Sequence, residues 1–169
     1  ILQGIKNVKG VKGRFEPIKT YNGITAIVDY SHTPDSLENM LNTAREFVKG
    51  RIITVFGCGG DRDKLKRPIM GEIAGRLSDY CIITSDNPRT EDPQTILDEI
   101  EPGTAQTGCK YEKILDRREA IFRAIKIAEP NDFVAVAGKG HEDYQIFADR
   151  TIHFDDAEVI LDAFKEIEK

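Results

Sequence analysis

Short apolar runs of strand length alternate with amphipathic helical stripes along most of this 169-residue chain, and that alternation limits the folds open to it. Arg51–Phe56, Tyr80–Thr84 and Phe133–Ala137 read as buried strands. Between them, Leu37, Met40, Leu41, Ala44, Phe47 and Val48 keep a helical period, as do Ile69, Ile73, Ala74 and Leu77, and later Ala120, Ile121, Ala124, Ile125 and Ala128. Consecutive βα units can bury both kinds of element only in a mostly parallel sheet with helices on both faces.

Punctuation supports the same reading. Arg14–Lys19 and Ile24–Asp29 are expected to pair around a Tyr21-Asn22-Gly23 turn, since Asn-Gly supplies the positive φ angles of a tight hairpin. Thr33 before Pro34 predicts a helix start. Asp92-Pro93 opens a short helix through Ile96, Leu97 and Ile100 that Glu101-Pro102-Gly103 is expected to close. Lys113–Leu115 reads as a weak strand, and Asp116 with Glu119 resembles a capping box. Gln145–Phe147 and Thr151–Phe154 are expected to pair around Asp149-Arg150, before a last helix that carries Val159, Ile160, Phe164 and Ile167 and is capped by Asp155 or Asp156. Residues 1–13, rich in Gly and Lys, are expected to be an interdomain linker, leaving 14–169 as one domain.

Composition excludes several classes. With 24 Lys and Arg against 29 Asp and Glu, the net charge of -5 argues against a nucleic-acid binder. No apolar run approaches the roughly 20 residues of a membrane span. Cys58, Cys81 and Cys109 are an odd, widely spaced set, expected to be reduced thiols in a cytoplasmic protein. The start at Ile1, without Met or a signal sequence, is expected of a piece of something longer.

In an open parallel sheet the ligand crevice lies beyond the carboxyl ends of the strands. That rule selects the segments starting at Asp29, Gly57, Ser85 and Gly138, all dense in glycine, charge or histidine. Arg62, Arg89 and Lys139 can hold carboxylates or phosphates, while Asp61, Asp86 and Glu142 can hold an ammonium group. Both signs together suit a zwitterion better than a bare phosphate. Other motifs fail: in the stretch 103–110 Cys109 intrudes between Gly108 and Lys110, and no Ser or Thr follows the lysine, so it is no P-loop. Gly57-Cys58-Gly59-Gly60 is not a dinucleotide fingerprint, and His32, His141 and His153 lack metal-ligand spacing. Cys58 reads as a bystander thiol, with no general base beside it in sequence.

Asp29-Tyr30-Ser31-His32-Thr33-Pro34, the stretch from Gly59 to Pro68, Asp86-Asn87-Pro88-Arg89 and Gly138-Lys139-Gly140-His141-Glu142 together resemble the C-terminal domain of a Mur ligase from about Arg14 onward. Within that family they look like the ligase that adds a third amino acid, usually meso-diaminopimelate, to UDP-N-acetylmuramoyl-L-alanyl-D-glutamate. The resemblance implies an α/β, Rossmann-like three-layer sandwich and ATP-dependent amide formation through an acyl phosphate. It implies that Arg62, Asn87, Arg89, Gly138 and Glu142 contact the diamino acid, with Asp86 helping to order both the loop and the bound ligand. Arg62 would bind one carboxylate, Asn87 and Arg89 the distal carboxylate, and Gly138 with Glu142 the distal ammonium. Arg14, Asp29, Tyr30 and His32 match positions at ATP. ATP and Mg²⁺ would serve the intact enzyme, whose P-loop and metal ligands lie in a central domain, so the piece alone is expected to require neither and to be inactive. A monomer in the cytoplasm is expected, with no nucleic-acid or membrane partner. Lanthionine or lysine in place of diaminopimelate, a folylpolyglutamate synthetase-like domain, a non-catalytic amino-acid-binding module and a dinucleotide-binding oxidoreductase domain are the alternatives, the last weakened by the missing fingerprint.

Overall fold

Strands β3 (Ile52–Phe56) and β6 (Phe133–Ala137) are buried at every residue and lie side by side at the centre of the sheet in a computed structural model that describes residues 11–168. With β1 (Glu16–Tyr21), β2 (Ile24–Asp29), β4 (Tyr80–Ile83) and β5 (Lys110–Lys113) they form one sheet in the order β1-β2-β6-β3-β4-β5. All neighbours run parallel except the β1–β2 hairpin at the edge. Asn22 at φ 48° and Gly23 at φ 81° make its turn as the sequence predicts.

Alternation of side chains across the sheet builds two cores. Ile27, Ile52, Phe56, Cys81, Ile83 and Phe133 point to one face, where α1 (Pro34–Arg45), α2 (Lys66–Leu77) and α3 (Pro93–Ala105) supply Leu37, Leu41, Met70, Leu97 and Ile100. Val28, Ile53, Val55, Ile82, Val134 and Val136 point to the other, covered by α4 (Arg117–Ile127) and α5 (Asp156–Ile167) through Ile121, Ile125, Ile160 and Phe164. The result is the expected three-layer α/β sandwich. Thr33, Asp92, Asp116 and Asp155 cap four of these helices with their side-chain oxygens, which absorb otherwise unpaired N–H groups. The short antiparallel pair β7 (Tyr144–Ile146) and β8 (Thr151–His153) stands apart. No helix among the described residues is long and apolar enough to cross a membrane.

Several expected boundaries shift. Helix α1 stops at Arg45, leaving Phe47 outside it with its ring edge-on to Phe15 and Phe133. Helix α3 runs through Pro102 to Ala105, because α2 and α3 meet backbone to backbone: a Cβ on Gly103 would sit 1.8 Å from the Pro68 carbonyl oxygen, and one on Gly71 2.3 Å from that of Ile100. That contact holds the turn which proline alone would break. Strand β5 lies earlier than Lys113–Leu115, since a short edge strand of three charged residues and one tyrosine carries no apolar run to betray it. Ile69 faces solvent at 47% exposure, whereas Met70 and Gly71 turn inward. Strand β1 starts at Glu16, after Phe15 at φ 42°, so Arg14 lies before it. Of the expected linker, residues 1–10 lie outside the described residues, and Gly13 is buried with its Cα against the backbone of Gly140 and His141.

Candidate functional site

The loops that follow β2, β3, β4 and β6 converge at the carboxyl edge of the sheet around a cavity of about 360 Å³. Tyr30, His32, Arg62, Asp86, Asn87, Arg89, Gly138 and Glu142 all line it, joined by Gly59, Lys66 and Tyr144. A larger groove of about 690 Å³ runs between α4 and α5 past Phe122 and Ile167, but it draws no residue from those loops.

The site's backbone is fixed by bonds within and between the loops. Asn87 N–H donates to Asp86 Oδ1 at 2.6 Å, and Gly60 N–H donates to the Asn87 carbonyl at 2.9 Å. Arg89 sits at φ 53° with its N–H bound to the Ile146 carbonyl, and its Nη1 donates to the Gly60 carbonyl at 2.9 Å. Gly138 adopts φ 118°, and a Cβ there would lie 2.6 Å from Asp86 Oδ2, so only glycine lets the two loops approach. Fully buried Arg67 braces the β3 loop from beneath: it pairs with Glu91 at 2.9 Å and Glu99 at 2.5 Å and reaches the Gly59 carbonyl. Glu91 in turn accepts from Asp61 N–H at 2.6 Å, and its bond to Arg67 lowers its pKa to about 2.

Charges inside the cavity are shared out among neighbours. Glu142 Oε2 accepts from Asn87 Nδ2 at 3.0 Å and from Lys139 Nζ at 3.4 Å, while Oε1 lies 3.5 Å from the Tyr30 hydroxyl. Burial, followed by the Glu142 charge, pushes the Tyr30 hydroxyl pKa up. The Arg62 guanidinium is exposed, its Nη1 donating only to its neighbour's carbonyl. Lys66 comes from the first turn of α2 and donates to the His32 carbonyl at 2.7 Å.

Two residues credited with ligand binding from sequence behave otherwise. Lys139 is wholly buried and bonded to Asn87 and Glu142, so it is not an open hand for a ligand anion. Asp61 spends its carboxylate on Thr90, accepting from its N–H and hydroxyl, which lowers its pKa and leaves it outside the cavity lining. Arg14 and Asp29 also lie outside that lining. The Arg14 guanidinium covers the Tyr30 ring at 5.1 Å, and Asp29 accepts from Phe15 N–H at 2.7 Å and from the Ser31 hydroxyl. Burial pushes the Cys58 thiol up to about 12, which agrees with a bystander. Lys66 and Tyr144 were not singled out from sequence as ligand contacts, because a helix start and a hairpin strand reach the cavity only through tertiary packing.

The chain matches the family described as Mur ligase, glutamate ligase domain over residues 13–140. The chain belongs to the Mur ligase family. Its similarity to two UDP-N-acetylmuramoyl-L-alanyl-D-glutamate--2,6-diaminopimelate ligases extends through Glu142 to the end: 56% identity to that of Clostridium botulinum over 99% of this chain and 35% of the relative, and 54% to that of Clostridium tetani over 99% and 34%. A solved structure of a ligase bearing the same description superposes with a TM-score of 0.89 at 39% identity, covering 99% of this chain and 34% of that one. A folylpolyglutamate synthase from Thermotoga maritima shares the fold more distantly, with a TM-score of 0.58 at 25% identity over 80% of this chain and 29% of that one. This Mur ligase domain thus spans about a third of the length of the curated relatives it matches.

Proposed function

We propose that this domain serves a ligase that joins meso-diaminopimelate to UDP-N-acetylmuramoyl-L-alanyl-D-glutamate with ATP, and that the cavity takes the diamino acid. The observation that carries this reading is the convergence of Arg62, Arg89, Asn87 and Glu142 on one cavity, cation and carboxylate within one small space. An incoming amino acid with a second amine and a second carboxylate at its far end is complementary to such a surface. Arg62 and Arg89 suit the carboxylates, since a guanidinium can grip both oxygens at once. Glu142 Oε1, with only the 3.5 Å contact from the Tyr30 hydroxyl, is left for an ammonium, and Gly138 lines the same cavity. Holding the amine's carrier rigidly lets its other amino group meet an acyl phosphate formed elsewhere in the ligase, which turns an encounter of two reactants into a local step.

Arg14, Asp29, Tyr30 and His32 are assigned to the nucleotide. Asp29 uses two acceptor positions internally, and a carboxylate retains further lone pairs for a ribose hydroxyl. Arg14 over Tyr30 suits a phosphate at the cavity's rim. Among the described residues no three His, Cys, Asp or Glu side chains gather to hold a metal ion, and the ligands for Mg²⁺ are assigned to the rest of the ligase. The cytoplasm, where ATP and nucleotide-linked precursors are found, is the proposed location, and the thiols of Cys58, Cys81 and Cys109 are free as that compartment requires.

An assay with ATP, the UDP-linked dipeptide and diaminopimelate tests the reading. The full-length ligase is expected to form tripeptide and the 169-residue chain alone none. Tripeptide formed by the chain alone, or none by the full-length enzyme, contradicts it.

A further inference from the structure

Lys139 sits between two glycines at positive φ, Gly138 at 118° and Gly140 at 53°, and its side chain is fully buried beneath the loop. An ammonium group taken out of water persists only where partners replace its hydration. Its hydrogen-bond partners are Asn87 Oδ1 at 3.1 Å and Glu142 Oε2 at 3.4 Å, with the Tyr144 ring centroid at 5.5 Å. Asp86 and Asp156 add negative charge nearby and Arg117 opposes it. Burial depresses the Lys139 pKa more than any of these neighbours raises it.

What Lys139 touches are two residues assigned above to the ligand. Asn87 Oδ1 accepts from Lys139 Nζ and from Ile146 N–H at 3.0 Å, which fixes the amide oxygen and leaves Nδ2 toward Glu142. One Nδ2 hydrogen serves Glu142, and the other is left for a ligand carboxylate. On Glu142, Oε2 is occupied by Lys139 and Asn87, while Oε1 has only the long 3.5 Å contact with the Tyr30 hydroxyl and is the oxygen left for a ligand ammonium.

We propose that Lys139 is a positioning residue for the amino-acid clamp: it sets the direction of the Asn87 amide and the orientation of the Glu142 carboxylate without touching the amino acid itself. The proposal rests on the reading that this cavity takes the diamino acid. Substitution by methionine keeps the buried stem and removes the ammonium, so the Asn87 amide loses a fixing bond and Glu142 loses its internal counter-charge.

In the full-length ligase, Lys139→Met is expected to raise KM for diaminopimelate about tenfold or more, with kcat and KM for ATP changed less than about twofold. Because Lys139 acts in part through Glu142, adding Lys139→Met to Glu142→Gln is expected to cost less than Lys139→Met costs in the wild-type enzyme. An unchanged KM for diaminopimelate in folded Lys139→Met, equal losses toward ATP, or multiplying losses in the double variant would overturn the proposal. Should the variant fail to fold, proton–nitrogen NMR of the wild-type 169-residue chain decides. One lysine ammonium signal protected from solvent exchange near neutral pH and assigned to Lys139 is expected, and its absence overturns the proposal. That signal needs no substrate, so a wild-type enzyme that fails to use diaminopimelate sinks the functional reading while the ammonium measurement still judges Lys139.

Discussion

The Arg89 guanidinium ties itself to the Gly60 carbonyl, Nη1 donating at 2.9 Å, so a residue on the loop after β4 is held in place by the loop after β3. The guanidinium can pass there only because position 59 is glycine, where a Cβ would lie 2.8 Å from the same nitrogen. One nitrogen is thus spent on geometry, and the rest of the fork remains for a ligand. Replacing Arg89 with Ala in the full-length ligase is expected to weaken diaminopimelate by about 2–4 kcal/mol, the range for a lost charged hydrogen-bonding partner. Titration calorimetry checks it, and unchanged affinity contradicts the assignment of Arg89 to the distal carboxylate.

Part of the acid sensitivity should trace to Glu91. Its pKa falls from an ordinary 4.5 to about 2, chiefly through the bond from Arg67, so the folded state holds fewer protons than the unfolded one between those values. The stabilisation is complete above the ordinary carboxylate range and is lost as pH falls toward about 2. Urea denaturation at a series of pH values should therefore show stability declining through that window. In Glu91→Gln the slope over that interval should be shallower and the stability at neutral pH lower, because fully buried Arg67 then keeps only Glu99 as a charged partner.

Buried Arg117 and Asp156 bond twice, at 2.8 and 2.7 Å, while the same guanidinium reaches the carbonyl oxygens of Ser85, in the loop after β4, and Ala137, at the end of β6. Asp156→Asn is expected to cost about 3–5 kcal/mol of folding stability, since it strands a buried cation. Replacing both, as Arg117→Met with Asp156→Leu, should recover most of that loss, because apolar residues of similar size need no counter-charge. Chemical denaturation reads both variants, and a single substitution as mild as the double one would contradict the account of this pair.

Much of this fold was legible because apolar runs and capping residues act locally. Ile52–Phe56 and Phe133–Ala137 had to be strands, and Thr33-Pro34 had to start a helix. The places that misled were those where distant packing decides: Gly103 against Pro68 carries α3 past Pro102, and β5 borrows its register from β4. In the site, the loops were legible from the rule that parallel sheets bind ligands at their carboxyl edge, yet the duties within them were not. Nothing in Gly138-Lys139-Gly140 distinguishes a lysine that reaches outward from one folded under its own loop. Likewise the partners of Arg67 and Arg117, Glu91, Glu99 and Asp156, are distant in sequence and meet only in three dimensions.

The central claim is that this cavity recognises an amino acid that is both acid and amine at its far end. Competition between diaminopimelate and lysine in one reaction of the full-length ligase measures it most directly, since the product ratio reports the ratio of kcat/KM. The account predicts that diaminopimelate wins by about a hundredfold or more and that Arg89→Ala collapses the preference, as a half-buried guanidinium left without its carboxylate disfavours lysine. Lysine incorporated as readily as diaminopimelate by the wild-type enzyme would contradict it.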